Sequence, residues 1–335
     1  MSEVQTISIP NFTTHTGAVY EDLPLHFQHF GKDYRKAPIV LINHSLTGDA
    51  NVSGKGGWWG DIVGPDRVID TDFFAVIAFN IPGNGVKGQV FDNHQDFHTG
   101  DIARIFYQGL SLLKIETLYA IIGGSIGGSI AWEMAVQYPQ LTKLLIPIAA
   151  DWKASDWILA NTFLQERILK NSADPVRDAR IHAMLTYRTP ESLNTRFRRT
   201  QNETVGIANV ESWLLHHGEK LHHRFDWKAY RLMNTLLASV DIARNGENPK
   251  DIIAQIEARI HIIAIDSDLL FSAAEDRKTF EMVKPLKETI FYQEIKSIHG
   301  HDAFLIESKK MEMILKNIIC KEDAIPQQKK LQKVI

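Results

Sequence analysis

Seven short apolar runs, spaced through 335 residues, decide what this chain can fold into. They are PLHFQHF from residue 24, PIVLIN at 38–43, FFAVIAFN at 73–80, LYAII at 118–122, KLLIPIA at 143–149, RIHIIAI at 259–265 and TIFYQEI at 289–295. Most are continuous rather than alternating, which is the pattern of strands covered on both faces. Between them lie segments of helical period: GDIARIFYQGLSLLK, SIAWEMAVQY, AAEDRKTFEMVKPL and ESKKMEMILKNII. Strands that alternate with helices predict a mostly parallel central sheet with helices on both faces.

The alternation stops near Asp151 and resumes near Arg259. The segment between reads as helices such as WILANTFLQERILKN and WKAYRLMNTLLASVDIAR, with no strand run. The chain therefore divides into a first core part (1–153), a helical insertion (154–244), a second core part (245–320) and a polar tail (321–335). Four tryptophans (Trp152, Trp157, Trp213, Trp227) and the run RFRR at 196–199 give the inserted region the character of a lid over a cleft, although a dimer surface has the same composition.

The sequence Gly123-Gly124-Ser125-Ile126-Gly127 falls where the run LYAII gives way to a helix. A serine on so tight a strand-to-helix turn is in strained backbone geometry, and glycines two residues to either side remove the side chains that would clash. The turn also sets Ser125 at a helix N-terminus, where the dipole and the Ile126 amide favour a developing oxyanion. A serine hydroxyl needs a histidine to take its proton and a carboxylate to orient that histidine. Both follow in chain order: Asp266 and Asp268 after RIHIIAI, then His299 and His301 after TIFYQEI. Asp268 is the candidate acid, against the ordinary reading of a loop or cap residue, and position does not separate His301 from His299. The loop His44-Ser45-Leu46-Thr47-Gly48 after PIVLIN offers the Leu46 amide as a second oxyanion donor, or else is a simple turn.

Composition excludes other classes. With 44% hydrophobic and 23% charged residues the chain can bury a full core, and a net charge of -3 supplies no positive field for nucleic acid or an anionic membrane. The one cysteine, Cys320, forms no intrachain disulfide. The opening MSEVQTISIP has no leader pattern and no apolar run nears the ~20 residues of a membrane span, so a soluble cytoplasmic protein is expected. The pairs His216-His217 and His222-His223 have no carboxylate or cysteine framework in the sequence, and no metal is expected. The glycines after residue 82 match no phosphate-binding fingerprint. The run RFRR reads as a solvated helix face, or as a contact for phosphates.

Several separated stretches, in order, resemble the homoserine O-acetyltransferase family of the α/β-hydrolase superfamily: HSLTGD (44–49), GWWGDIVGPDRVIDTD (57–72), GGSIGG (123–128), ARIHAMLTYR (179–188), RFDWKAY (224–230), DSDLLF (266–271) and GHDAFL (300–305). The resemblance implies the α/β-hydrolase fold and a triad of Ser125, Asp268 and His301. It implies further that Arg180 holds the carboxylate of an amino-acid acceptor, that Tyr187 shapes the acceptor site, and that Asp302 receives the ammonium group. The implied reaction moves an acetyl group from acetyl-CoA, a co-substrate rather than a cofactor, to L-homoserine through an acyl-serine, with product entering methionine biosynthesis. A homodimer is implied as well. The stretch IPGNGVKGQVFDNHQDFHTGD departs from the family's longer glycine-rich segment, which leaves open an acetyl or succinyl donor, another acceptor, or plain ester hydrolysis.

Overall fold

The computed structural model describes residues 3–319 and Ala324, so the expected polar tail at 321–335 lies, that alanine apart, outside the described residues. Its first part carries strands β1 (Gln5–Thr13), β2 (Val19–Gly31), β3 (Ile39–Asn43), the short ladder β4 (Val63–Gly64) with β5 (Ile69–Asp70), β6 (Ala75–Phe79), β7 (Leu118–Gly124) and β8 (Thr142–Ile148). Helix α1 (Thr99–Leu112) precedes β7 and α2 (Ile126–Gln137) follows it. Helices α3 (Asp156–Asn171), α4 (Pro175–Tyr187), α5 (Pro190–Phe197), α6 (Asn209–His222) and α7 (Trp227–Ala238) come next, with a two-residue hairpin, β9 (Gln201–Asn202) and β10 (Ile207–Ala208), inside them. The second part is α8 (Pro249–Ala254), β11 (Arg259–Ile265), α9 (Ala273–Val283), β12 (Ile290–Ile295), α10 (Ala303–Ile306) and α11 (Ser308–Ile318).

Eight strands form one sheet in the order β1-β2-β6-β3-β7-β8-β11-β12. From β6 to β12 every pairing is parallel; β1 and β2 join antiparallel at one edge. The continuous apolar runs are explained by two cores, one on each face. Along β3, Ile39 and Leu41 enter the core shared with α1 and α2, whereas Val40 and Ile42 face the core closed by Met311 and Leu315 of α11. Strand β1 gave no apolar run because it is an edge strand with only Ile9 and Phe12 buried. The β9–β10 hairpin, also unforeseen, is too short to leave an apolar run.

The inserted helices leave and rejoin the core through a narrow neck. Ala154 N donates to Val240 O at 2.8 Å, Ile242 N donates to Trp152 O at 3.2 Å, and Lys153 pairs with Asp241 across an antiparallel bridge. Within the insertion, Arg231 of α7 grips Glu166 of α3, and Gln165 of α3 donates to Ala179 O of α4 at 3.1 Å. The insertion meets the core again where Arg224 donates to Thr47 O at 2.9 Å and where the Trp157 indole donates to Leu269 O. Both contacts fall on loops leaving the sheet at its carboxyl edge, where ligands bind in open α/β sheets. Among the described residues, no helix is long and apolar enough to cross a membrane.

Candidate active site

Strand β7 runs between β3 and β8 and ends on Gly124, so Ser125 emerges at the middle of the sheet. Its backbone has φ 58° and ψ -134°, a left-handed conformation that costs a non-glycine residue about 1–3 kcal/mol. Ser125 N donates to Ile148 O at 2.9 Å, which helps hold the strained residue in place. The flanking glycines are required by contact. A Cβ on Gly123 would come within 2.1 Å of Gly127 O, and one on Gly127 within 2.4 Å of Asn43 O. Helix α2 can therefore lie directly on the end of β3.

His301 is reached from β12 through a short turn, and Asp268 from β11. His301 Nδ1 lies 2.7 Å from Asp268 Oδ2, and the other carboxylate oxygen accepts the Leu270 and Phe271 amides at 2.7 and 3.0 Å. With Nδ1 donating to Asp268, Nε2 keeps its lone pair for a proton. The Phe304 ring meets His301 edge-on at 5.7 Å and also lies 2.6 Å from where a Gly124 Cβ would stand, which puts the imidazole beside the turn that bears Ser125. Ser125 is 4% exposed and His301 3%. Burial alone would lower the imidazole pKa; the charge and hydrogen bond of Asp268, with Asp302 adding, hold it above its ordinary value.

The neighbours that sequence position could not separate are occupied elsewhere. Asp266 accepts Ser297 N at 2.9 Å, and His299 Nδ1 meets Arg188 and Ser192 Oγ at 3.1 and 3.0 Å.

Leu46 lies three residues beyond the end of β3, the strand end on which α2, opened by Ile126, packs. Among the described residues neither amide donates to a protein group. The Leu46 loop is braced by two residues that sequence reasoning did not single out. His44 Nδ1 donates to Ser45 O at 2.8 Å, leaving Nε2 to accept Ile81 N at 3.0 Å, and burial holds this imidazole neutral. Asn80 Oδ1 accepts Ala50 N at 3.0 Å and Asn84 Nδ2 at 3.3 Å, so the segment after β6 buttresses the loop.

Above His301 lies Tyr187 at the end of α4, ring to ring 5.5 Å, and the Arg180 guanidinium lies 5.3 Å from the Tyr187 ring centre. Among the described residues Arg180 forms no ion pair and donates no hydrogen bond. Burial raises the Asp302 carboxyl, and the positive charges of Arg180, His301 and Arg188 offset this. Arg188, buried and also missed in the sequence, follows Tyr187 directly; a charged residue closing an amphipathic helix gives no signal of burial. The site thus presents, near the imidazole, a cation with no ion-pair partner among the described residues and a half-buried carboxyl.

The histidine pairs do have carboxylates nearby: His222 pairs with Asp174 at 3.1 Å and His223 with Glu219 at 2.8 Å, as ion pairs on the insertion. Among the described residues the one group with converging metal-ligand atoms is His15, His98 and Asp101, and these already bond one another and Arg104.

A mostly parallel sheet with a serine on a strained turn, and a histidine paired with an acid from later strands beside that turn, defines an α/β enzyme class built for acyl chemistry. The sequence model of the alpha/beta hydrolase fold matches residues 38–272. Within that class the chain belongs to the homoserine O-acetyltransferase family of acyltransferases, being 32% identical over 340 residues to a protein of that name from Symbiobacterium thermophilum, with 89% of this chain and 88% of the relative covered. Solved structures agree on the fold. Esterase E22 superposes with a TM-score of 0.85 at 17% identity over 95% of this chain and 99% of its own. The homoserine O-acetyltransferase of Bacillus anthracis does so with 0.84 at 17% identity over 95% and 97%.

Proposed function

We propose that this enzyme transfers an acetyl group from acetyl-CoA to the hydroxyl of L-homoserine by a ping-pong mechanism. Ser125 Oγ attacks the thioester carbonyl while His301 Nε2 takes its proton and Asp268 holds the imidazolium; the Leu46 and Ile126 amides receive the oxyanion. The C–S bond breaks and the CoA sulfur leaves with the proton from His301. The homoserine hydroxyl then attacks the acyl-serine, giving its proton to His301, which returns it to Ser125 as O-acetyl-L-homoserine departs. Arg180 holds the acceptor carboxylate, Asp302 its ammonium, and Tyr187 packs between them. The inserted helices keep water from the acyl-enzyme.

The observation that carries this reading is the Arg180 guanidinium, without an ion-pair partner among the described residues, over the Tyr187 ring that meets His301, with the half-buried Asp302 carboxyl within its electrostatic reach. A zwitterionic amino acid needs one fixed cation and one fixed anion, and a guanidinium fits a carboxylate with two hydrogen bonds. An esterase has no use for such a pair. We place the enzyme in the cytoplasm as a homodimer, supported by exposed apolar side chains on α3, Trp157 at 55% and Phe163 at 68%. No metal or cofactor takes part, and the product feeds methionine synthesis.

The test is thiol release from acetyl-CoA and from succinyl-CoA, each with and without L-homoserine, on wild type and Ser125→Ala. Homoserine-dependent release from acetyl-CoA that vanishes in Ser125→Ala is expected. Release that ignores homoserine would instead establish a hydrolase, and preference for succinyl-CoA would change the donor.

A further inference from the structure

The structure carries a second cationic feature, outward of the acceptor pair, that the reaction above does not use. Trp213 on α6 is flanked by two cations and a histidine: the Arg196 guanidinium lies 5.6 Å from its ring centre, that of Arg188 5.8 Å, and the His217 ring meets it edge-on at 4.4 Å. Trp213, His216 or His217, and Lys220 recur at three- and four-residue spacing, so they share one face of α6. The acidic residues of the same helix are committed elsewhere. Glu211 accepts Ala208 N at 2.8 Å, and Glu219 pairs with Arg177 and His223. Among the described residues Arg196 and Lys220 form no ion pair. Burial, reinforced by the positive charges of Arg180, His216, Lys220 and Arg196, holds His217 down at about 4.

This face is continuous with the catalytic centre. Arg188 touches Trp213 at one end and His299, two residues before His301, at the other; Tyr187, beside Arg188, faces His301 at 5.5 Å. A thioester seated on Ser125 must send the remainder of its donor outward past the inserted helices. For an acyl-CoA that remainder ends in a nucleotide bearing a diphosphate and a 3′-phosphate.

We propose that Arg196 and Lys220, beside Trp213, bind the phosphorylated nucleotide end of the acyl donor. This rests on the acyl-CoA reading given above. Guanidinium and ammonium groups with no internal partner meet phosphate oxygens with charge-assisted hydrogen bonds, and the half-buried indole supplies a flat apolar neighbour.

The experiment compares wild type with Arg196→Ala, Lys220→Ala and the double variant, all checked for an unchanged rate of fluorophosphonate labelling at Ser125. KM is measured for acetyl-CoA and for S-acetylpantetheine, which lacks the nucleotide. Binding of adenosine 3′,5′-bisphosphate and of inorganic phosphate is measured by calorimetry, and the His217 ring protons are titrated by NMR. We expect the double variant to raise KM for acetyl-CoA by about ten- to a hundredfold and leave S-acetylpantetheine unchanged. The bisphosphate should bind wild type more tightly than phosphate does and should raise the His217 titration midpoint. Equal effects on both donors, no effect on either, or a change of oligomeric state without a change in KM overturns the proposal. If wild type accepts no thioester, the acyl-CoA reading fails by itself; bisphosphate binding, and its loss in the double variant, still decides whether the cationic face is a nucleotide site.

Discussion

Gly127→Ala tests the claim that a backbone contact, and not merely a catalytic serine, makes this turn work. The new Cβ would stand 2.4 Å from Asn43 O, 2.7 Å from His44 O and 2.8 Å from Asn43 C, whereas ordinary contact begins at 3.4 Å. All three are backbone atoms, so no side chain can swing aside. The end of β3 and the start of α2 must separate by about 1 Å, an overpacking that costs about 1–3 kcal/mol. That separation also parts the Leu46 amide, three residues beyond Asn43, from the Ile126 amide on α2. Loss of one oxyanion donor costs about 10²–10³ in rate, and misplacement by about 1 Å about 10². We expect fluorophosphonate labelling of Gly127→Ala to slow by about a hundredfold while the melting temperature falls by about 1–4 °C. Gly60→Ala, where the only atom near a Cβ is Gly57 O at 3.9 Å, is the control and should match wild type in both. Wild-type labelling by Gly127→Ala would refute the reasoning.

Other residues give separable outcomes. Arg180→Ala should raise KM for homoserine by about tenfold or more while leaving acylation of Ser125 unchanged, because in the proposed reaction the guanidinium binds the acceptor and not the acyl donor. Asp302→Asn removes a charge that raises the His301 pKa; the acidic limb of the acylation rate should move to lower pH, read from burst kinetics with an activated ester. The Asp151 carboxyl is pushed up to about 6 by burial, against hydrogen bonds from Trp152 N and Thr279. A carboxyl that binds its proton more tightly when folded contributes stability below about pH 4 and loses it as pH rises through about 6. Asp151→Asn should therefore abolish a loss on the order of 2–3 kcal/mol between pH 4 and pH 7, measured as urea midpoints; an unchanged difference from wild type across that range would show the carboxyl to be unperturbed.

The central strands were legible because burial on both faces forces continuous apolar residues, and the turn around Ser125 because its glycines answer a local contact. Strand β1 was not, since only Ile9 and Phe12 face inward from an otherwise solvated edge. The choice between Asp266 and Asp268, or His299 and His301, depends on where a loop points, and spacing carries no such information. Family resemblance supplied it, and the structure joins His301 to Asp268. His44 and Arg188 escaped notice for a related reason: each is a polar residue whose burial is created by a distant segment. Arg188 is covered by the loop around His299, 111 residues on.

The neck at Trp152–Ala154 and Val240–Ile242 has an evolutionary corollary. Its two strands of chain are already clasped together, so lengthening the loop between them twofold adds only about 0.6 kcal/mol of closure entropy when the insertion's contacts at Thr47, Leu269 and His299 are kept. Such an insertion can be replaced as a cassette. Arg180 and Tyr187 travel with it, while Ser125, Asp268, His301 and Asp302 stay behind, so grafting another family member's insertion at this neck exchanges half of the proposed acceptor pocket and preserves the proposed reacting groups.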